Sequence, residues 1–332
     1  MEQKIIHKGN EFLGLRRIDD LATILGMKSI YLKTLALNPE YKTFKIPKKS
    51  GGLRQIEAPS MALKRVQKIL NYYLQPAYSI FRPEFVHGFI IKDEKVADSI
   101  GIISNARTHI SKSNILTIDL EDFFHSFKAQ DVWTLFSGDP FSFPEPLANM
   151  LTMLTTWYDM LPTGSPTSPV LSNFLTFTLD KKLSDLTAAK KGVYTRYADD
   201  MTFSFDSWIP VDIIQKIKMI ILGEGFRLNN KKFRIQSGNR CQMVTGLVVN
   251  EKVNVSRKYI RQVRAILFDW TINGIEKAGA RYFGMDYEQN FSYQSRFLES
   301  LKGRIQFIGN VRGRDDRIYR KLIQNYNSLI IE

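Results

Sequence analysis

The chain has 332 residues, 44% of them hydrophobic, and a formal net charge of +14 from 47 basic and 33 acidic side chains. That length suits a globular protein of two or three subdomains, and the positive excess suits a polyanionic partner. A single cysteine, Cys241, and four histidines exclude an intrachain disulfide framework and a zinc finger. With no long apolar run or signal peptide, a cytoplasmic protein without a membrane partner is expected.

Residues 1–40 read as a helical N-terminal extension, with Asp and Ser available as caps around Ile18-Asp19-Asp20 and Ser29-Ile30. Tyr41 to Pro47 and Leu53 to Ala58 alternate like strands around the basic turn Lys48-Lys49-Ser50-Gly51-Gly52, which predicts a hairpin with Lys48, Lys49 and Arg54 near its tip. Phosphate binding and a merely solvated turn both fit that tip. Ser60 caps a predicted helix over Met61 to Leu74, and another is predicted over Asp93 to His109. His109 has no second histidine at ligand spacing, so on its own it reads as structural.

Asn114 to Leu120 is a predicted strand with Ile115, Thr117, Asp119 and Glu121 on one face. Asp119, ending so apolar a strand, is costly unless paired or bound to metal. Phe123 and Phe124 put aromatic bulk beside it. Helices are expected over Lys128 to Phe136, Leu147 to Met160 and Val170 to Leu186, with a proline-rich excursion at 138–146. The turn from Leu161 to Pro169 contains Gly164 and Ser165, where a ligand can approach the backbone closely. Nothing more than a well-capped helix start is the alternative there.

Val193 to Tyr197 and Met201 to Phe205 are short, aromatic and β-branched, so Asp199 and Asp200 fall at the tip of a hairpin. Adjacent carboxylates repel, and aromatic flanks raise the cost of desolvating them. A divalent metal is the natural compensator, although a solvated turn explains two aspartates as well. A helix follows over Val211 to Gly223, then strand-like pieces at Phe233 to Ile235 and Val244 to Asn250. From Ser256 onward the pattern is helical, over 257–270, 273–283 and 288–308 and again after Gly313. Residues 251–332 hold 15 basic against 9 acidic residues, and Arg257, Lys258, Arg261 and Arg264 cluster at helical spacing. A basic helical C-terminal module is expected.

If the strand ending in Asp119 pairs antiparallel with the hairpin, Asp119 comes close to Asp199. Two facing carboxylates can hold a pair of Mg²⁺ ions about 4 Å apart, the arrangement used for phosphoryl transfer.

These residues resemble the ordered boxes of reverse transcriptases. Tyr197-Ala198-Asp199-Asp200 is similar to the YxDD box, and Asp119 to Phe124 to the first catalytic strand. Leu161 to Pro169 resembles the loop that positions template and nucleotide, and Leu228 to Lys232 the lysine-containing segment that follows. Asn105-Ala106-Arg107-Thr108-His109 and Val244-Thr245-Gly246 resemble the NAxxH and VTG boxes of bacterial retron reverse transcriptases. The boxes run from about residue 42 to 250.

The resemblance implies an α+β right-hand polymerase fold. Its fingers would span 41–114 with part of 128–165, its antiparallel-sheet palm 115–250 and its basic helical thumb 251–332. It implies that Asp119, Asp199 and Asp200, with the backbone carbonyl of Leu120, hold two Mg²⁺ ions, for which Mn²⁺ can substitute. Phe124 would be the steric gate against ribonucleotides. Arg54, with Lys48 or Lys49, would contact the triphosphate of a dNTP, and Lys231 or Lys232 the leaving group. Gly164 and Ser165 would lie beside nucleotide and template, with Thr163 where the family often has glutamine. Thr245, Gly246 and Leu247 would form the primer grip, and Asn105, His109, Arg257, Lys258, Arg261 and Arg264 would bind RNA.

As partners, the resemblance implies a cognate structured non-coding RNA and a branched multicopy single-stranded DNA product primed from a guanosine 2′-hydroxyl. It also implies a separate effector protein acting in anti-phage defence. A group II intron or diversity-generating reverse transcriptase, and a non-catalytic RNA-binding scaffold, are the alternatives.

Overall fold

Alternating apolar and polar residues at 41–59 give the hairpin they predict. In the computed structural model, which describes residues 2–48, 51–91, 100–284 and 293–331, β1 (Tyr41–Pro47) and β2 (Leu53–Pro59) pair antiparallel, from Tyr41 opposite Pro59 to Pro47 opposite Leu53. Lys49, expected at its tip, lies outside the described residues. A longer sheet is built from β3 (Asn114–Glu121), β4 (Val193–Tyr197), β5 (Asp200–Phe205) and β6 (Arg227–Leu228) in the order β4-β5-β3-β6, and β7 (Arg234–Ser237) also pairs with β3. The β4/β5, β5/β3 and β3/β6 pairings are antiparallel.

The chain divides into two units. One comprises Met1–Asn105 and Ser113–Ile235, the other Ala106–Lys112 and Gln236–Glu332. In the first, Leu116, Ile118 and Leu120 of β3 share one apolar core with Phe203, Leu151, Leu171, Leu183, Ile213 and Ile217. Those last five lie in helices Glu145–Thr155, Ser168–Leu175, Phe177–Ala188 and Val211–Gly223. With both faces covered, the middle of β3 reads as a nearly unbroken apolar run. The N-terminal helices Glu2–Leu13, Ile18–Leu25 and Ser29–Leu37 belong to the same core. Phe12, fully buried, packs its ring against Tyr73, Phe141 and Phe143.

Helix boundaries depart from the periodicity where tertiary contacts decide. The helix from Met61 continues through Pro76 to Phe81, because Leu74, Ala77 and Tyr78 keep its apolar face in the core. The helix expected to reach Met160 stops at Thr155, and Trp157 bridges to Met160 around Tyr158 and Asp159, both at positive φ. The single helix expected over 170–186 is two, Ser168–Leu175 and Phe177–Ala188. Of the helix expected over 93–109, the described part is Ile102–Arg107.

In the second unit β8 (Met243–Val244) and β9 (Leu247–Val248) form a small antiparallel hairpin. Helices Arg257–Phe283, Tyr293–Arg312 and Arg317–Ile331 follow, with Trp270, Phe297, Leu301, Ile305 and Tyr326 buried. The first is broken at Gly274, whose φ of 76° leaves the helical region, just past the gap expected between 270 and 273. Among the described residues no helix is long and apolar enough to cross a membrane.

Candidate active site

The register of two strand pairs assembles the acids. Tyr197 faces Asp200 across the β4/β5 hairpin, which leaves Ala198 and Asp199 as its two-residue turn, with Ala198 at φ 59°. Asp119 faces Asp200, not Asp199, across β3/β5. Asp199 is tied to the same strand through its backbone, since the Leu120 N–H donates to the Asp199 carbonyl at 3.2 Å. The three acids therefore sit at one end of the sheet.

Burial and mutual repulsion dominate their electrostatics. Burial, the neighbouring Asp199 and a hydrogen bond with Asp119 push the Asp200 carboxyl up to about 7. Asp199 is also raised, by burial and then by Asp119, against the opposing pull of Lys232 and Arg54. Asp119 is 4% exposed and fully engaged: Lys232 Nζ lies 2.6 Å from one carboxylate oxygen, and Asn229 Nδ2 donates to the other at 3.0 Å. Burial disfavours the Lys232 charge, yet the three carboxylates together hold its ammonium above the ordinary range.

Among the described residues no three His, Cys, Asp or Glu side chains are gathered as a ready-made metal cluster. The oxygens of Asp119 are turned onto Lys232 and Asn229. The donor set nonetheless fits a divalent cation: three short hard oxygen donors share one sheet end, and burial together with their mutual repulsion raises two of them.

Beneath the turn lies a feature that the sequence reading missed. Arg196 is 0% exposed and forms a forked pair with Asp180, Nη2 to Oδ2 at 2.7 Å and Nε to Oδ1 at 2.8 Å. Its Nη1 donates to Asn173 Oδ1 and to the carbonyl of Ala198, both at 3.1 Å. Tyr194 donates to the same Asp180 at 2.7 Å, and Asn173 Nδ2 donates to the Gly88 carbonyl at 3.0 Å. Breaking such a buried pair by removing one partner costs about 3–5 kcal/mol. The backbone turn that carries Asp199 is thus anchored from inside the protein.

The other expected site residues separate by exposure. Phe124 is partly buried in the short 3₁₀ helix Phe123–Ser126, its ring 5.9 Å from that of Phe89. Arg54 is exposed and acts on Asp199 electrostatically, and Lys48 is exposed as well. Of the two lysines considered for the leaving group, both exposed, Lys232 is the one drawn to Asp119. The space at Gly164 is filled by protein rather than left for a ligand, since a Cβ there would lie 2.3 Å from the Glu57 carbonyl. Ser165 is 5% exposed, and its hydroxyl is spent on Gln67 and Thr167, so its side chain shapes the turn.

In the second unit, Thr245 and Gly246 are the two-residue turn between β8 and β9, at φ 47° and 82°, the type that twisted hairpins favour. Leu247 is buried. Arg257, Lys258, Arg261 and Arg264 are all exposed, while Ile260 and Val263 of the same helix are buried. Asn105 and His109 are corrected: each is 0% exposed, so in this fold neither side chain can touch RNA. Burial agrees with the structural reading of His109 made from the residues alone; RNA contact is implied only by the resemblance.

Comparison with known proteins bears on the same residues. The family described as reverse transcriptase (RNA-dependent DNA polymerase) matches residues 46–286. The retron Mx65 reverse transcriptase of Myxococcus xanthus is 30% identical over 280 residues, covering 76% of this chain and 62% of that protein. This chain thus spans less than two-thirds of the Mx65 protein. The retron Ec86 reverse transcriptase of Escherichia coli is 29% identical over 317 residues, covering 93% of this chain and 87% of the relative. The retron Ec73 reverse transcriptase, also of Escherichia coli, is 35% identical over 225 residues, covering 63% and 68%. With the family match extending over most of the chain and including all three acids, the chain belongs to the bacterial retron-type reverse transcriptases.

Proposed function

We propose that this protein copies RNA into DNA by nucleotidyl transfer at Asp119, Asp199 and Asp200. The observation that carries the reading is the opposition of Asp119 to Asp200 with Asp199 on the adjoining turn, which favours a catalytic centre over a non-catalytic scaffold. Two Mg²⁺ ions bound by these carboxylates and the Leu120 carbonyl would activate the attacking hydroxyl and neutralise charge on the phosphoryl oxygens. The chain's own residues do the rest. Lys232 exchanges Asp119 for the charge that develops on pyrophosphate, and Arg54 draws in the triphosphate. Phe124 stands where a 2′-hydroxyl would clash, which favours dNTPs.

In this reading the hairpin β1/β2 with its supporting helices acts as fingers, the sheet as palm and the C-terminal helices as thumb. The exposed basic face of helix Arg257–Phe283 takes a structured non-coding RNA by its phosphates, and Thr245-Gly246 grips the primer end. Priming from a guanosine 2′-hydroxyl, a branched RNA–DNA product, a separate effector protein and a cytoplasmic role in anti-phage defence complete the proposal. Purified protein given its non-coding RNA, dNTPs and Mg²⁺ makes branched DNA, and Asp199→Asn abolishes that synthesis. DNA yield equal in wild type and Asp199→Asn would sink the reading.

A further inference from the structure

Glu57, His125 and Thr163 come from three separate stretches: the end of β2, the 3₁₀ helix after β3, and the proline-bounded turn. The Glu57 side chain is only 8% exposed, and a carboxylate so buried is unfavourable unless its oxygens are hydrogen-bonded. Its Oε2 accepts from the Thr163 backbone N–H at 3.0 Å and from His125 Nε2 at 2.9 Å, and its Oε1 accepts from the Gln55 amide at 3.4 Å. Because a carboxylate only accepts, His125 carries a proton on Nε2.

Thr163 Oγ1 stands 3.1 Å from that same Nε2. The single Nε2 nitrogen is thus within hydrogen-bond reach of both Glu57 and Thr163, so the imidazole links strand and turn. The His125 side chain is 28% exposed and Thr163 is partly exposed, so the network opens to solvent at one side while Glu57 closes it at the other. Gly164 lets turn and strand press together, since any Cβ there would strike the Glu57 carbonyl. His125 directly follows Phe124, and Arg54 lies on the same strand as Glu57. One hydrogen-bonded cluster therefore ties together the strand of Arg54, the helix of Phe124 and the turn of Gly164.

We propose that Glu57, His125 and Thr163 form a positioning network for the incoming nucleotide: Glu57 locks His125, His125 fixes the helix that carries Phe124, and Thr163 ties the proline-bounded turn to the same imidazole. The network rests on the polymerase reading above. It is tested on the full-length protein with an RNA template, an annealed DNA primer and Mg²⁺. Incorporation of one dNTP and of the matching ribonucleotide is followed in wild type, His125→Ala, Thr163→Val and Thr163→Ser.

His125→Ala and Thr163→Val are each expected to raise the dNTP KM and narrow the preference for dNTP over ribonucleotide by about tenfold, the scale of one lost hydrogen bond. The change falls chiefly on KM rather than kcat, and Thr163→Ser, which keeps the hydroxyl, restores the preference. Unchanged KM and sugar preference in both variants overturn the proposal. So does a parallel loss of kcat and melting temperature with the sugar preference intact, because that marks a structural prop. A wild type that incorporates nothing, like Asp199→Asn, removes the polymerase reading and the network with it.

Discussion

Phe124 is half-packed against Phe89 and Phe123, so shortening it opens space at its exposed edge without emptying the core. Phe124→Ala is expected to relax discrimination against ribonucleotides, measured as the ratio of kcat/KM for dNTP and the matching ribonucleotide; an unchanged ratio removes the gate assignment. A second residue has a pH signature. Burial, helped by the Arg82 charge, lowers the His87 imidazole to about 4, and its Nδ1 lies 2.9 Å from Ser104 Oγ. The folded protein therefore holds His87 neutral where an unfolded chain, titrating near 6.5, takes up a proton. Its contribution to stability is complete above 6.5 and is lost as the pH falls toward 4. His87→Gln should flatten that acid limb, so the melting temperatures of wild type and variant should converge between pH 7 and 4.5. At this scale the aspartates were legible, because charge amid aromatic and β-branched residues has few explanations. Arg196 was not: an arginine in a short strand reads as solvent-facing, and its buried partner Asp180 is distant in sequence.

At the scale of elements, the strands flanking the acids followed from alternation, but the turn falls one residue earlier than expected, at Ala198-Asp199 with Asp200 already paired in β5. Val244 to Asn250, expected as one strand-like piece, turns back on itself at Thr245-Gly246. Helix ends did not follow, because Leu74, Ala77 and Tyr78 carry one helix through Pro76 by packing that no local pattern displays. The glycines illustrate the same limit. Gly164 reads as room for a ligand, yet the neighbour that needs the room is the backbone of β2. Gly88 attracts no notice in the sequence, although a Cβ there would lie 2.4 Å from the Ala198 nitrogen. Its carbonyl also accepts from Asn173, which in turn holds Arg196. Gly88→Ala should push the turn off its anchor, costing about 1–3 kcal/mol of stability as overpacking does. DNA synthesis should fall further than the loss of folded protein explains. Urea denaturation alongside primer extension checks both, and wild-type extension would show that the turn tolerates displacement.

For the whole molecule the charge of +14 was the first legible property, and part of it lies exposed along one helix. Arg257, Lys258, Arg261 and Arg264 project from the start of one helix, while Ile260, Val263 and Leu267 bury its opposite face in the second unit. None of the four has a resolved role in holding that unit together, so replacing them should change binding more than folding. A protein that neutralises phosphates releases counterions, and the logarithm of its affinity falls with the logarithm of salt by about 0.7 to 0.9 per phosphate contact. Alanine at all four positions is therefore expected to weaken RNA binding and reduce that slope by about 3 if each side chain meets one phosphate. Fluorescence anisotropy with a structured RNA across about 50 to 200 mM salt measures it. The same fall in slope on an unrelated hairpin would mark these residues as backbone contacts, with recognition of a particular RNA residing elsewhere. An unchanged slope on both RNAs would remove this helix face from the interface.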